Sequence, residues 1–148
     1  MSDNVNHPSH YTTTFGQTSI ECIDITRHLN FDIGNAFKYI WRAGHKGTAD
    51  KAIEDLNKAL WYIKDWRSNL LGEKGSPLAV AIFKLLPIPE GGTIDALRHT
   101  ALSQLLGDST QAAEETVYEM LHRFKETLIS AEGWTSGAGV KTEDGEDS

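Results

Sequence analysis

The sequence predicts an all-α protein, and three features predict it. Residues 33–43 and 49–71 each carry an apolar stripe at helical spacing, residues 93–106 and 109–131 repeat that pattern, and no segment alternates apolar and polar residues convincingly enough to make a strand. The expected architecture is an N-terminal arm with a three-helix unit over 1–71, then a further helical half of about three helices over 76–132. Residues 133–148, rich in Gly, Ser, Thr and acid, are expected to be a disordered acidic tail.

Residues 1–17 hold Pro8, Gly16, two histidines and a threonine run without sustained periodicity, so they read as an arm or loop. Thr18-Ser19-Ile20-Glu21 has the T-x-x-E form of a capping box, which starts a first helix running to about Leu29. Asp32 can cap the second, over about Ile33 to Ala43. Ile33, Ala36, Phe37, Ile40 and Trp41 form its core stripe, and Gly44 sits where a left-handed residue would end it. Thr48 can cap a third helix, Ala49 to Leu71, with Ile53, Leu56, Leu60, Ile63 and Leu70 inside and Ala52, Ala59 and Trp66 beside them. Gly72-Glu73-Lys74-Gly75 reads as the clearest internal linker.

Ser76-Pro77 is a cap followed by Pro at the first helical position. Leu78 to Leu86 is nearly all apolar, so it is a buried helix or an oligomer contact. The fifth helix, Thr93 to Leu106, should bury Ile94, Leu97, Ala101 and Leu105. The sixth, Ser109 to Ala131, should bury Ala113, Val117, Met120, Leu121, Phe124 and Leu128.

Bulk properties narrow the function. One cysteine, Cys22, excludes an internal disulfide and a Cys-based zinc site, and it reads as a core residue. No apolar run reaches 18 residues, so no membrane span is expected. The N-terminus lacks the apolar stretch of a signal peptide, and a reducing cytoplasm fits. A net charge of −7 argues against stable DNA or RNA binding, which rests on neutralised phosphates. It leaves room for a local basic pocket that takes one small anion. Neither a G-x-x-x-x-G-K-[ST] loop nor a G-x-G-x-x-G motif is present, and no Ser-His-Asp or Cys-His pattern stands out.

The candidate ligand-binding residues lie on the polar side of the second helix. Asn35, Lys38, Tyr39 and Arg42 share one stripe, and Lys46 follows in the next loop. Lys38 and Arg42 repel across one helical turn, a penalty that a bound phosphate would reverse. A solvated helix face is the plain alternative. His7, Ser9, His10 and Tyr11 of the arm could cap a phosphate or stack on a base, or simply pack as an arm. Asp55 and Lys58 share a face of the third helix, either as a surface ion pair or as contacts to ribose and phosphate. Glu21 and Asp24 are spaced to hold Mg²⁺, as in all-helical nucleotide pyrophosphatases. The second acidic pair such a site needs is missing: Glu54 and Asp55 are adjacent and position 58 is Lys. Glu21 also has a structural use as the capping acid.

Four blocks together resemble one small phage domain. They are Asn6-His7-Pro8-Ser9-His10-Tyr11, Ile20-Glu21-Cys22-Ile23-Asp24, the run Gly34 to Lys46, and Asp55-Leu56-Asn57-Lys58-Ala59-Leu60-Trp61-Tyr62. The resemblance covers about residues 5–67 and is to a family of unknown function in most phages. Its characterised relative is a podovirus nucleotide kinase that works on deoxynucleoside monophosphates without a Walker loop. The resemblance implies nucleotide binding by these blocks in the cytoplasm of an infected bacterial host.

If the protein is a kinase, Lys38, Arg42 and Lys46 would neutralise the transferring group, with His10 or Asp55 at the acceptor, ATP as donor and Mg²⁺ not decided. The relative has a Cys-containing segment before this domain that this chain lacks, so the alternative is a non-catalytic protein that sequesters signalling nucleotides of cyclic or ADP-ribose type. An NTP pyrophosphatase using Glu21 and Asp24 is a third reading. Self-association is expected in each case.

Overall fold

A computed structural model describes residues 12–15, 18–45, 47–69 and 72–136. The described chain is mostly helical, as expected: α1 (Cys22–Thr26), α2 (Phe31–Arg42), α3 (Ala49–Asn69), α4 (Pro77–Phe83), α5 (Ile94–Leu106) and α6 (Thr110–Ser136). No helix among the described residues is long and apolar enough to cross a membrane.

The first correction is a hairpin. Strands β1 (Thr12–Phe15) and β2 (Thr18–Glu21) pair antiparallel, with Thr12 opposite Glu21 and Phe15 opposite Thr18. The cause is local. Threonine, phenylalanine and isoleucine favour an extended chain, and only residues 16 and 17, Gly and Gln, separate the strands. The helix therefore starts three residues later than its T-x-x-E pattern suggests. Glu21 is itself the cap residue, with φ −99° and ψ 154°. The carboxylate of Asp24 accepts its N–H at 2.8 Å.

α1 lasts five residues because the chain then meets residues 73–76. The N–H of Asn30 donates to the Lys74 carbonyl at 2.7 Å, its Nδ2 to the Glu73 carbonyl at 2.8 Å, and the Ser76 N–H to the His28 carbonyl at 2.8 Å. A Cβ on Gly75 would lie 2.3 Å from that His28 oxygen, so only glycine allows the approach. The stretch read as a linker is thus tied to the α1–α2 junction.

Asn30, not Asp32, caps α2, accepting from the Ile33 N–H at 2.8 Å. Asp32 is buried instead. The α2 stripe of Ile33, Ala36, Phe37, Ile40 and Trp41 is buried as predicted, and Gly44 follows it at φ +87°. In α3, Ala52, Leu56, Ala59, Leu60 and Ile63 are buried and Ile53 is half-buried. Leu70 lies outside the described residues.

α2 packs on α3, α5 on α6, and the two pairs meet through α2–α5 and α3–α6 contacts. Their buried side chains form one core that runs from Ile20 to Leu121. α4 begins at Pro77 under a Ser76 cap as expected, but it buries only Ala79 and Phe83 and leaves Leu78 exposed, as is Leu85 just beyond its end. On α5, Arg98 is buried beside Ala101, Leu102 and Leu105, while Ile94 and Leu97 are half-covered. α6 buries Ala113, Val117, Met120 and Leu121, with Phe124 partly buried. It runs on to Ser136, four residues into the stretch read as a tail, because Glu132 to Ser136 continue its turns.

Candidate functional site

The side of α2 turned away from the core divides between two neighbours. Toward α3, the rings of Tyr39 and Tyr62 stack at 6.1 Å between centroids and 12° between planes. Three cations gather around Tyr39: Lys38 Nζ at 4.5 Å from its centroid, the Arg42 guanidinium carbon at 5.1 Å and Lys58 Nζ at 5.4 Å. Phe31 and Trp61 stand edge-on to Tyr62, at 5.9 and 5.1 Å, and widen the aromatic surface. Phe31 is 74% exposed.

Asp55 departs from expectation. It shares α3 with Lys58, yet its side chain is fully buried (0% exposed) and the two do not pair. Arg42 straddles it instead, with Nη2 to Oδ1 at 2.6 Å and Nε to Oδ2 at 3.3 Å. Lys51 Nζ lies 3.7 Å from the same carboxylate. Burying a carboxylate is tolerable only with such partners. Asp55 therefore holds Arg42 in place rather than facing a ligand. Lys58 pairs one turn back with Glu54 at 3.2 Å. That hydrogen bond first of all holds the Glu54 carboxyl below its usual range and the Lys58 ammonium above its own.

Four cations (Lys38, Arg42, Lys51, Lys58) thus stand against two carboxylates (Glu54, Asp55) on one face of an otherwise acidic chain. A local positive excess over an aromatic floor suits an anion that carries a ring.

Toward α1, Asn35 and Lys38 border a shallow depression of about 280 Å³, lined also by Thr26, Leu29, Phe31 and Gly34. Asn35 is therefore on a different side of Lys38 from the Tyr39 cluster. Its Nδ2 donates to the Phe31 carbonyl at 2.8 Å. In the core, burial pushes the Cys22 thiol up to about 12, partly offset by the Lys38 charge, which fits a packed core cysteine and not a nucleophile.

His7, Ser9, His10, Tyr11 and Lys46 lie outside the described residues. Asp24 is engaged with the Glu21 N–H, and no group of three or more His, Cys, Asp or Glu that could hold a metal ion occurs among the described residues. The structure adds Lys51, Glu54, Tyr62 and Phe31 to the face. Lys51, Asp55, Lys58 and Tyr62 recur at helical spacing, so that signal was present in the sequence. It adds Arg98 behind the site, which had none. Arg98 donates from Nε to the Ile40 carbonyl at 3.1 Å and from Nη2 to the Ala43 carbonyl, and Nη1 pairs with Asp95. It so closes the end of α2 from the C-terminal half.

Residues 5–64 match the family model of DUF3310, described as a protein of unknown function. No curated protein and no solved structure matches the chain. The matched stretch contains every member of the Tyr39 cluster, including Lys51, Glu54 and Tyr62, and none of α4 to α6.

Proposed function

We propose that the α2–α3 face binds a phosphate-bearing nucleotide, its phosphate among Lys38, Arg42 and Lys58. The observation that carries this reading is the Tyr39 ring with three cations around it and Tyr62 stacked alongside. Asp55 and Glu54 offset Arg42 and Lys58 only in part, and a phosphate would meet the remaining positive excess with charge-assisted hydrogen bonds.

The activity implied by the sequence resemblance is phosphoryl transfer from ATP to a deoxynucleoside monophosphate. Such transfer is mostly positioning and charge stabilisation, which this cluster would supply. The second reading is sequestration of a signalling nucleotide without chemistry. Arg42 favours it: Nη2 and Nε both engage Asp55, so its fork is held by a carboxylate rather than poised for a moving phosphoryl group. Self-association belongs to the same proposal, supported by the exposed Leu78, Leu85 and Ile88, and sedimentation would measure it.

The test incubates the full chain with deoxynucleoside monophosphates plus ATP and Mg²⁺, and separately with cyclic and ADP-ribose-type nucleotides. Chromatography of the bound and free fractions then decides. New nucleoside diphosphate establishes the kinase. A nucleotide retained by the protein and released intact on heating establishes sequestration. Lys38→Ala should lose either behaviour, and retention of both by that variant, or no nucleotide bound by the wild type, overturns the assignment of this face.

A further inference from the structure

We infer that the depression between α1 and α2 is the subsite for the heterocyclic base of that nucleotide, so the ligand bridges Lys38 with its base on the α1 side and its phosphate on the α3 side. The inference rests on the nucleotide reading of the α2–α3 face and adds to it where the base goes and how it is held.

Four observations support it. Lys38 is common to both places: it borders the depression and its Nζ stands 4.5 Å from the Tyr39 centroid. A phosphate at Lys38 would therefore set the rest of the molecule at the mouth of the depression. The volume, about 280 Å³, falls just short of the ~300–1,000 Å³ of pockets that enclose a whole small ligand, which suits one ring system with its phosphate outside.

Phe31 is the third observation. It lines the depression and is 74% exposed, which leaves its ring as a ready surface for a base to stack on. The fourth is Asn35. The Phe31 carbonyl can only accept, so Nδ2 must face it, and Oδ1 is left as the atom the amide offers at the rim. It has no partner among the described residues and would accept an N–H from the base edge.

Gly34 provides a clean probe. A Cβ there would meet the Thr26 carbonyl oxygen at 3.6 Å and the Leu29 Cβ at 3.7 Å, both ordinary contacts with residues that line the depression. Alanine would thus occupy the floor without a clash, and inside a helix it should raise Tm rather than lower it. Any loss of binding is then not a loss of fold.

The experiment is calorimetric titration of the full-length wild type, Phe31→Ala, Gly34→Ala and Lys38→Ala with deoxynucleoside monophosphates and with inorganic pyrophosphate. Phe31→Ala should weaken nucleotide binding roughly 5- to 150-fold, the span of one lost base–aromatic stack. Gly34→Ala should weaken it as well, with Tm unchanged or higher. Neither should alter the affinity for pyrophosphate, whereas Lys38→Ala should weaken both ligands. Wild-type nucleotide affinity in Phe31→Ala and Gly34→Ala would overturn the base subsite and leave the phosphate reading standing. Equal losses for nucleotide and pyrophosphate in those two variants would also overturn it. Failure of the wild type to bind either ligand would remove both.

Discussion

Arg42 and Arg98 stand at the same end of α2 and do different work. Arg98 reaches in from α5, its side chain 8% exposed, and engages the Ile40 and Ala43 carbonyls and Asp95. Arg42 belongs to α2, is 16% exposed, and lies between the buried Asp55 and the face of Tyr39. One is a structural cap supplied by a distant segment. The other keeps contact with a surface where a ligand could reach it. Residue type says nothing of this difference, because the partners that decide it come from other helices.

Removing Arg98 should therefore have the largest effect on the fold. Two carbonyls at the end of α2 would lose their donor at about 1–3 kcal/mol each, and a buried side chain would leave a void. Arg98→Ala is expected to lower unfolding free energy by ~3–5 kcal/mol in urea titrations. Arg98→Lys should recover only part, since an ammonium cannot span both carbonyls as the planar fork does. A stable Arg98→Ala would mean that the C-terminal half does not hold this end of α2.

The corresponding change on the other side is Asp55→Ala, expected to cost about 2–4 kcal/mol because it removes the buried carboxylate that the Arg42 fork straddles. Arg42→Ala should also destabilise, leaving Asp55, among the described residues, with Lys51 at 3.7 Å. The double variant should cost less than the sum of the two, and strict additivity in that cycle would show that the pair is not coupled.

Spacing revealed much of this in the sequence and missed what depends on other segments. The α2 core stripe, Ile33 to Trp41, follows from one helix's own period, and so does the Lys38, Tyr39, Arg42 face. The hairpin at Thr12–Glu21 was missed because four-residue strands leave too few positions for alternation to register. Asp55 was legible as a neighbour of Lys58 on α3 but not as the partner of Arg42, thirteen residues away on another helix. Arg98 replaced Leu97 as the buried residue of its turn for a reason that lies in α2.

A smaller effect should come from Asp32, at the opposite end of α2. Burial first, then the hydrogen bond and charge of Asp65, push its carboxyl up to about 6. Its Oδ2 has no partner among the described residues. A folded-state value raised above the unfolded one means that the folded chain binds the proton more tightly. The stability this contributes is complete below about pH 4 and is lost as pH rises through about 6. Asp32→Asn should flatten that slope and stabilise the protein above pH 6 by on the order of 1 kcal/mol, since solvent reaching Asp65 screens the pair. Urea unfolding at pH 5 and 7.5 checks it. An unchanged slope would show that Asp32 does not titrate in this window.

Lys58 gives the smallest effect on the fold and the sharpest contrast with Arg42. Its pair with Glu54 is exposed, so Lys58→Ala should leave the unfolding midpoint where it was. Its effect belongs on the ligand: Glu54 would then keep Lys51 at 3.7 Å but lose its closer partner beside the phosphate position, and nucleotide affinity should fall several-fold. Adding Glu54→Ala should restore part of the loss. Salt separates the two cations further. The screening length shrinks from about 10 Å at 0.1 M to about 3 Å at 1 M, which removes most of what an exposed charge contributes at 5.4 Å from the ring. The gap between wild type and Lys58→Ala should therefore close at high salt, while the cost of breaking the buried Arg42–Asp55 pair should persist. If both gaps closed together, Arg42 would be as exposed in solution as Lys58, and the distinction between a buried and an exposed ion pair on this face would fail.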